Sequence, residues 1–117
     1  MKADTRKTRR DGDCYKASAE GLLRMAEQLG NELRLAHGTC TLTAGHLKGK
    51  ASGHAWLETE DLVFDLANNR DCVHRRDVYY KVGKCRKVVR YTLAQTREML
   101  LKHRTYGPWH KTKALHA

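Results

Sequence analysis

The sequence predicts an α+β domain in which an N-terminal helix packs on a small antiparallel sheet and a second helix follows the strands. Apolar residues recur at helical spacing over residues 15–29 and again beyond residue 92. Between these segments lie short stretches of alternating or β-branched residues, joined by short turns that favour antiparallel pairing. The 117 residues suit one domain with a small core.

The charge is strongly basic. Lys and Arg total 23 against 13 Asp and Glu, which gives a formal net charge of +10 with His neutral. This balance favours an anionic partner such as nucleic acid, and it equally suits a solvated basic surface. Residues 1–10 are predicted to be a flexible basic arm that could bind phosphate, and residues 11–117 to be the single domain. The arm's basic residues are Lys2, Arg6, Lys7, Arg9 and Arg10.

The location predicted from sequence is the cytoplasm, without a membrane partner. No apolar run approaches the roughly 20 residues of a membrane span, and no signal-peptide core follows the basic N-terminus. Cysteines in that compartment are reduced thiols. Four Cys and seven His are present, but no C-x₂-C pair occurs. We therefore expect no metal and no organic cofactor.

The first helix is predicted from about Cys14 to Leu29. Asp13 is a good N-cap, and Gly30 is a good stop. The apolar face consists of Tyr15, Ala19, Leu22, Leu23, Ala26 and Leu29.

The middle of the chain is predicted to be mostly strands. Residues 31–45 favour a strand, residues 45–53 a glycine-rich loop, and residues 53–65 (GHAWLETEDLVFD) a hairpin. A turn-rich break at 68–72 precedes two further predicted strands, 77–82 and 85–92. The final helix begins with a capping box of Thr92 and Gln95, and Gly107-Pro108 is expected to stop it.

The hairpin brings together a histidine and an aspartate. If Glu60 and Asp61 form a two-residue turn, then Trp56 lies opposite Asp65, and His54 shares a face with both. His54 and Asp65 become diagonal neighbours with Cα atoms about 7–8 Å apart. The carboxylate can then hold one imidazole nitrogen and fix its tautomer.

Cys14 is the candidate nucleophile. In the first turn of a helix its sulfur lies near free N–H groups and the positive end of the dipole, which favour the thiolate. Cys14, His54 and Asp65 thus provide a nucleophile, a base and a group that orients the base.

Three segments resemble one enzyme superfamily. "DGDCYKASA", "GHAWLE" and "VFDLANN" together look like the core of the transglutaminase-like branch of the papain-like cysteine proteases, over residues 11–69. The matching residues are Cys14 at a helix start, His54 in His-Ala-Trp and Asp65 on the next strand. Leu66 follows Asp65, where many members have Pro. Size and motif order are similar to small bacterial or phage-type members.

The resemblance implies a papain-like core and a cysteine-dependent acyl-transfer enzyme, either a peptidase or amidase or a transglutaminase-like protein. Cys14, His54 and Asp65 would be its catalytic residues, and a peptide, isopeptide or other amide its substrate. The Cys14 backbone N–H supplies one oxyanion donor. Trp56 is interpreted as a packing residue or a substrate wall. His37 is interpreted as a strand histidine, with a residue facing the cleft as the alternative.

Two alternatives remain open. "DGDC" also resembles the cysteine motif of ovarian-tumour-type deubiquitinases, whose histidine lies nearer the end of the chain. Here the late His103 and His110 fall in a predicted helix and tail. From another class, a basic protein that binds nucleic acid or another anion on the same fold would need no catalysis.

Overall fold

A computed structural model describes residues 13–29, 32–41, 48–66 and 72–109. Within these ranges the chain forms three helices and five strands, which confirms the α+β class. They are α1 (Asp13–Leu29), β1 (Arg34–Thr41), β2 (Ala51–Glu58), β3 (Leu62–Asp65), β4 (Cys72–Arg75), α2 (Arg76–Gly83), β5 (Arg86–Tyr91) and α3 (Leu93–His103). The predicted basic arm, residues 1–10, lies outside the described residues, as do Gly12, Gly30, residues 45–47 of the predicted loop and most of the predicted break. Residues 51–53, predicted to end that loop, instead begin β2.

The five strands form one antiparallel sheet in the order β4-β3-β2-β1-β5. In the hairpin, Leu57 pairs with Phe64, Glu58 pairs with Val63, and the Thr59 amide donates to the Leu62 carbonyl over 2.9 Å. The predicted two-residue turn is therefore confirmed, and so is the register that depends on it.

Both faces of the sheet are covered. The larger core lies on the face that meets α1 and α3, where Leu22 of α1 packs with Leu35 and Leu57 of the sheet. Gly21 allows close approach, because a Cβ there would lie 2.4 Å from Leu66 Cδ1. On the opposite face, the tyrosines of α2 pack against a second cluster around Trp56. This second face also carries His54 and Asp65.

The apolar face of α1 is close to the prediction. Tyr15, Ala19, Leu22 and Ala26 are buried, whereas Leu23 is exposed. The helix begins one residue earlier than predicted, at Asp13.

The predicted strand over residues 77–82 is wrong, because this segment is α2. Its Val and Tyr residues favour strands, but tertiary packing overrides that weak preference. Neighbouring helical residues point about 100° apart. Tyr79 and Tyr80 therefore both reach Trp56, with ring centroids 5.5 and 5.7 Å from the indole. In a strand they would have pointed to opposite faces.

Two boundaries also differ from the prediction. Cys72, placed in a turn-rich break, begins the edge strand β4. The Thr92–Gln95 capping box at the start of α3 is confirmed. The helix ends at His103, earlier than the predicted stop at Gly107-Pro108, because Arg104 adopts left-handed backbone angles. Leu93, Met99 and Leu100 pack against the core as expected.

Among the described residues, none of the helices combines the length and the apolar character that crossing a membrane would require.

Candidate active site

His54 and Asp65 are hydrogen-bonded partners. His54 Nε2 lies 3.2 Å from Asp65 Oδ2, and each side chain is about four-fifths buried, with 23% and 22% exposed. The confirmed turn produces this contact, because it sets β3 against β2 so that the two side chains share a face.

The environment of His54 favours its charged form. Burial alone lowers the pKa of His54, but hydrogen bonds and charge interactions with Asp65 and Cys14 outweigh burial and raise the pKa to about 10. His54 is thus protonated at neutral pH, and its Nε2–H donates to the Asp65 carboxylate. Such a cation between two acceptors is typical of a proton-transfer site.

Cys14 is the other partner of the imidazole. It lies in the first turn of α1, is 6% exposed, and packs with Ala55, the residue after His54. Its side chain hydrogen-bonds to His54. The structure therefore brings together all three of the predicted residues.

Tyr79 is a residue of this site that the sequence does not predict. Its hydroxyl donates to Asp65 Oδ2 over 2.7 Å, so this oxygen accepts from both Tyr79 and His54. Burial and the neighbouring carboxylate raise the pKa of Tyr79, which keeps the hydroxyl protonated as a donor. The residue was assigned to a strand, and only the α2 helix shows that it faces Asp65.

A cavity of about 330 Å³ opens beside His54 and Asp65, between α2 and the sheet. Its wall combines apolar side chains of α2 with two cysteines. The lining residues are Cys40, Thr41, Ser52, Gly53, His54, Asp65, His74, Val78, Tyr79, Val82, Gly83 and Cys85. Cys14 is not among them; the cavity adjoins the site through His54 and Asp65.

Trp56 is wholly buried and takes no part in the cavity wall. Its indole Nε1 donates to Glu58 Oε1 over 2.9 Å, and Tyr80 and Arg90 also donate to this buried carboxylate. The packing interpretation fits this position, and a substrate wall does not. The Glu58 network fastens α2 and β5 to the centre of the sheet.

His37 lies on the opposite face of the sheet from His54. Its ring is buried, with ring centroids 4.9 Å from Tyr15, 5.2 Å from Tyr91 and 5.0 Å from Trp109. This agrees with the interpretation of His37 as a strand histidine rather than a cleft residue.

In the part of the chain that the structure describes, no group of three or more His, Cys, Asp or Glu side chains is arranged to hold a metal ion. Comparison of the chain with protein-family models, curated proteins and solved structures gives no match. Its function is therefore inferred from geometry and chemistry.

Proposed function

We propose that the protein is a cysteine-dependent acyl-transfer enzyme with a papain-like core similar to the transglutaminase-like group. The observation that supports this most directly is the hydrogen-bonded sequence of Cys14, His54 and Asp65, with 3.2 Å between His54 Nε2 and Asp65 Oδ2. Cysteine on the first turn of a helix, histidine on one strand and aspartate on the next follow the order of that group's motifs.

In the proposed reaction, the Cys14 sulfur attacks the carbonyl carbon of an amide or ester. His54 holds the thiol proton and gives it to the leaving amine or alcohol, while Asp65 keeps the imidazolium oriented. The Cys14 backbone N–H lies in the first turn of α1 and would donate to the developing oxyanion. Water or an amine then attacks the acyl-enzyme and releases the product.

The substrate we propose is a peptide, isopeptide or other amide. The cavity beside His54 would receive the group next to the scissile bond, and its α2 wall offers the apolar side chains of Val78 and Val82. This lining favours an apolar side chain in that position.

The first test is the rate at which iodoacetamide alkylates Cys14, followed by peptide mass spectrometry as a function of pH. An activated Cys14–His54 pair predicts that Cys14 is alkylated more rapidly in wild type than in His54→Ala. Cys72 in the same chain is the internal control, and its rate should not respond to the substitution. Equal profiles for Cys14 in both proteins would sink the proposal. Trapping an acyl group on Cys14 with an activated ester is the second step.

The alternative of a basic binding protein without catalysis rests on the net charge of +10. Cys14→Ala separates the two functions, since it abolishes acyl transfer and leaves binding of an anion intact.

A further inference from the structure

Two cysteine thiols, apart from Cys14, lie close together on the same face of the sheet as His54. Cys40 is in β1, Cys85 lies between α2 and β5, both are free, and their Sγ atoms are 3.1 Å apart. Antiparallel pairing sets Thr39 opposite Arg86. Cys40 follows Thr39 and Cys85 precedes Arg86, so the two cysteines continue this pairing by one position. Opposed residues in such a ladder have Cα atoms about 4.5–5.5 Å apart, which is within the range that a disulfide spans.

The two thiols have different environments. Cys40 is 8% exposed, and Cys85 is half-buried. The hydrogen bond between them lowers the pKa of Cys85, as does the charge of His54, although burial opposes both. The same hydrogen bond, together with burial, raises the pKa of Cys40. Cys85 is therefore the more acidic and the more accessible sulfur.

The surroundings leave room for chemistry at this pair. Both cysteines line the 330 Å³ cavity, which is large enough to admit a small oxidant. Gly83 leaves space beside Cys85, because a Cβ there would lie 3.3 Å from its Sγ. A disulfide needs the sulfurs to approach to about 2.05 Å, a movement of about 1 Å.

We propose that Cys40 and Cys85 form a peroxide-reactive site that converts reversibly into a cross-strand disulfide. The Cys85 thiolate attacks one oxygen of hydrogen peroxide; an S–O bond forms, the O–O bond breaks, and hydroxide leaves. Cys40 then attacks the sulfenic sulfur of Cys85, an S–S bond forms, and the hydroxyl group departs as water with the Cys40 proton. Two thiols lose two electrons, and one peroxide becomes two waters. A dithiol reductant reverses the change.

This site is independent of the proposed acyl-transfer function, because neither sulfur is the nucleophile of that reaction. Its consequence is structural: the bond would tie the end of α2 to β1 across the cavity that adjoins His54.

The test uses the 117-residue chain with Cys14→Ala, so that the Cys14 thiol does not compete. The protein is treated with hydrogen peroxide, digested without reduction and mapped by mass spectrometry. We expect one linked pair of peptides containing Cys40 and Cys85, lighter by two hydrogens and separated again by dithiothreitol. Cys72 is the matched control and should stay reduced. Absence of the linkage between Cys40 and Cys85 would overturn the proposal. Oxidation of Cys72 as fast as that linkage forms would also overturn it.

The order of attack is tested with dimedone, which traps sulfenic acid. In the Cys40→Ser variant, the dimedone adduct should accumulate on Cys85. In the Cys85→Ser variant, dimedone should label Cys40, about tenfold more slowly. Equal labelling of the two variants would contradict the assignment of Cys85 as the attacking thiol. The linkage map of the Cys14→Ala protein, with Cys40 and Cys85 both intact, does not depend on whether either serine variant folds.

Discussion

At the scale of single residues, Asp65 determines how His54 behaves. One carboxylate oxygen accepts from the imidazole at 3.2 Å and from the Tyr79 hydroxyl at 2.7 Å. The first contact was predictable, because a two-residue turn fixes which residues face each other on a hairpin. The second was not, because it requires knowing that Tyr79 lies on a helix and on which face that helix docks.

Asp65→Asn should lower the pKa of His54 substantially from about 10, because the variant removes a charge that raises it. The measurement is an NMR titration of the His54 ring. Tyr79→Phe is the matched control, since it removes the other hydrogen bond to Asp65 and leaves the carboxylate in place; its His54 pKa should stay raised. A His54 pKa unchanged in Asp65→Asn would show that the carboxylate is not its main partner.

At the scale of elements, α2 was assigned to the wrong class from sequence, and its contacts explain why. Its strand-like residues are the ones that bury against Trp56 and reach Glu58 and Asp65. Local propensity cannot anticipate this, because the partners are more than a dozen residues away along the chain. The Cys40–Cys85 pair was missed for a similar reason: it depends on β5 pairing with β1, which no local pattern indicates.

Tyr80→Phe should destabilise the protein by about 1.5–3 kcal/mol, because it removes a hydrogen bond to the buried, charged Glu58. Urea denaturation measures the change in the free energy of unfolding. Tyr106→Phe is the control, since Tyr106 is exposed and its bond to Glu20 is 3.3 Å long; it should change stability by about 0.5 kcal/mol or less. Equal losses in both variants would mean that α2 is not held through Glu58.

At the scale of the whole molecule, the proposed site and the stability of the fold are linked through protons. His54 has a folded pKa of about 10 and a reference value of 6.5. A raised pKa means that the folded state binds the proton more tightly than the unfolded state. The charged His54 therefore stabilises the fold fully below pH 6.5, and this contribution disappears as the pH rises through 10.

We expect wild type to be more stable than His54→Gln at pH 6.5, by up to about 4 kcal/mol, and this advantage to shrink towards zero above pH 10. Comparing the two proteins at each pH cancels the titration of the groups that do not interact with His54, which the two proteins share. Chemical denaturation from pH 6.5 to 10.5 gives the difference. A stability difference that grows with pH would contradict the assigned charge on His54.

The hairpin that carries both His54 and Asp65 has a consequence for the order in which the site assembles. Only 11 residues separate that pair along the chain, whereas Cys14 precedes His54 by roughly 40 residues, so closing the second loop costs about 1 kcal/mol more in chain entropy. Local contacts of this kind form early in folding, and distant ones form late. In a newly made or partly unfolded chain, the contact between His54 and Asp65 would thus form before Cys14 comes close to His54. In the proposed reaction, reactivity would therefore begin only when α1 docks on the sheet.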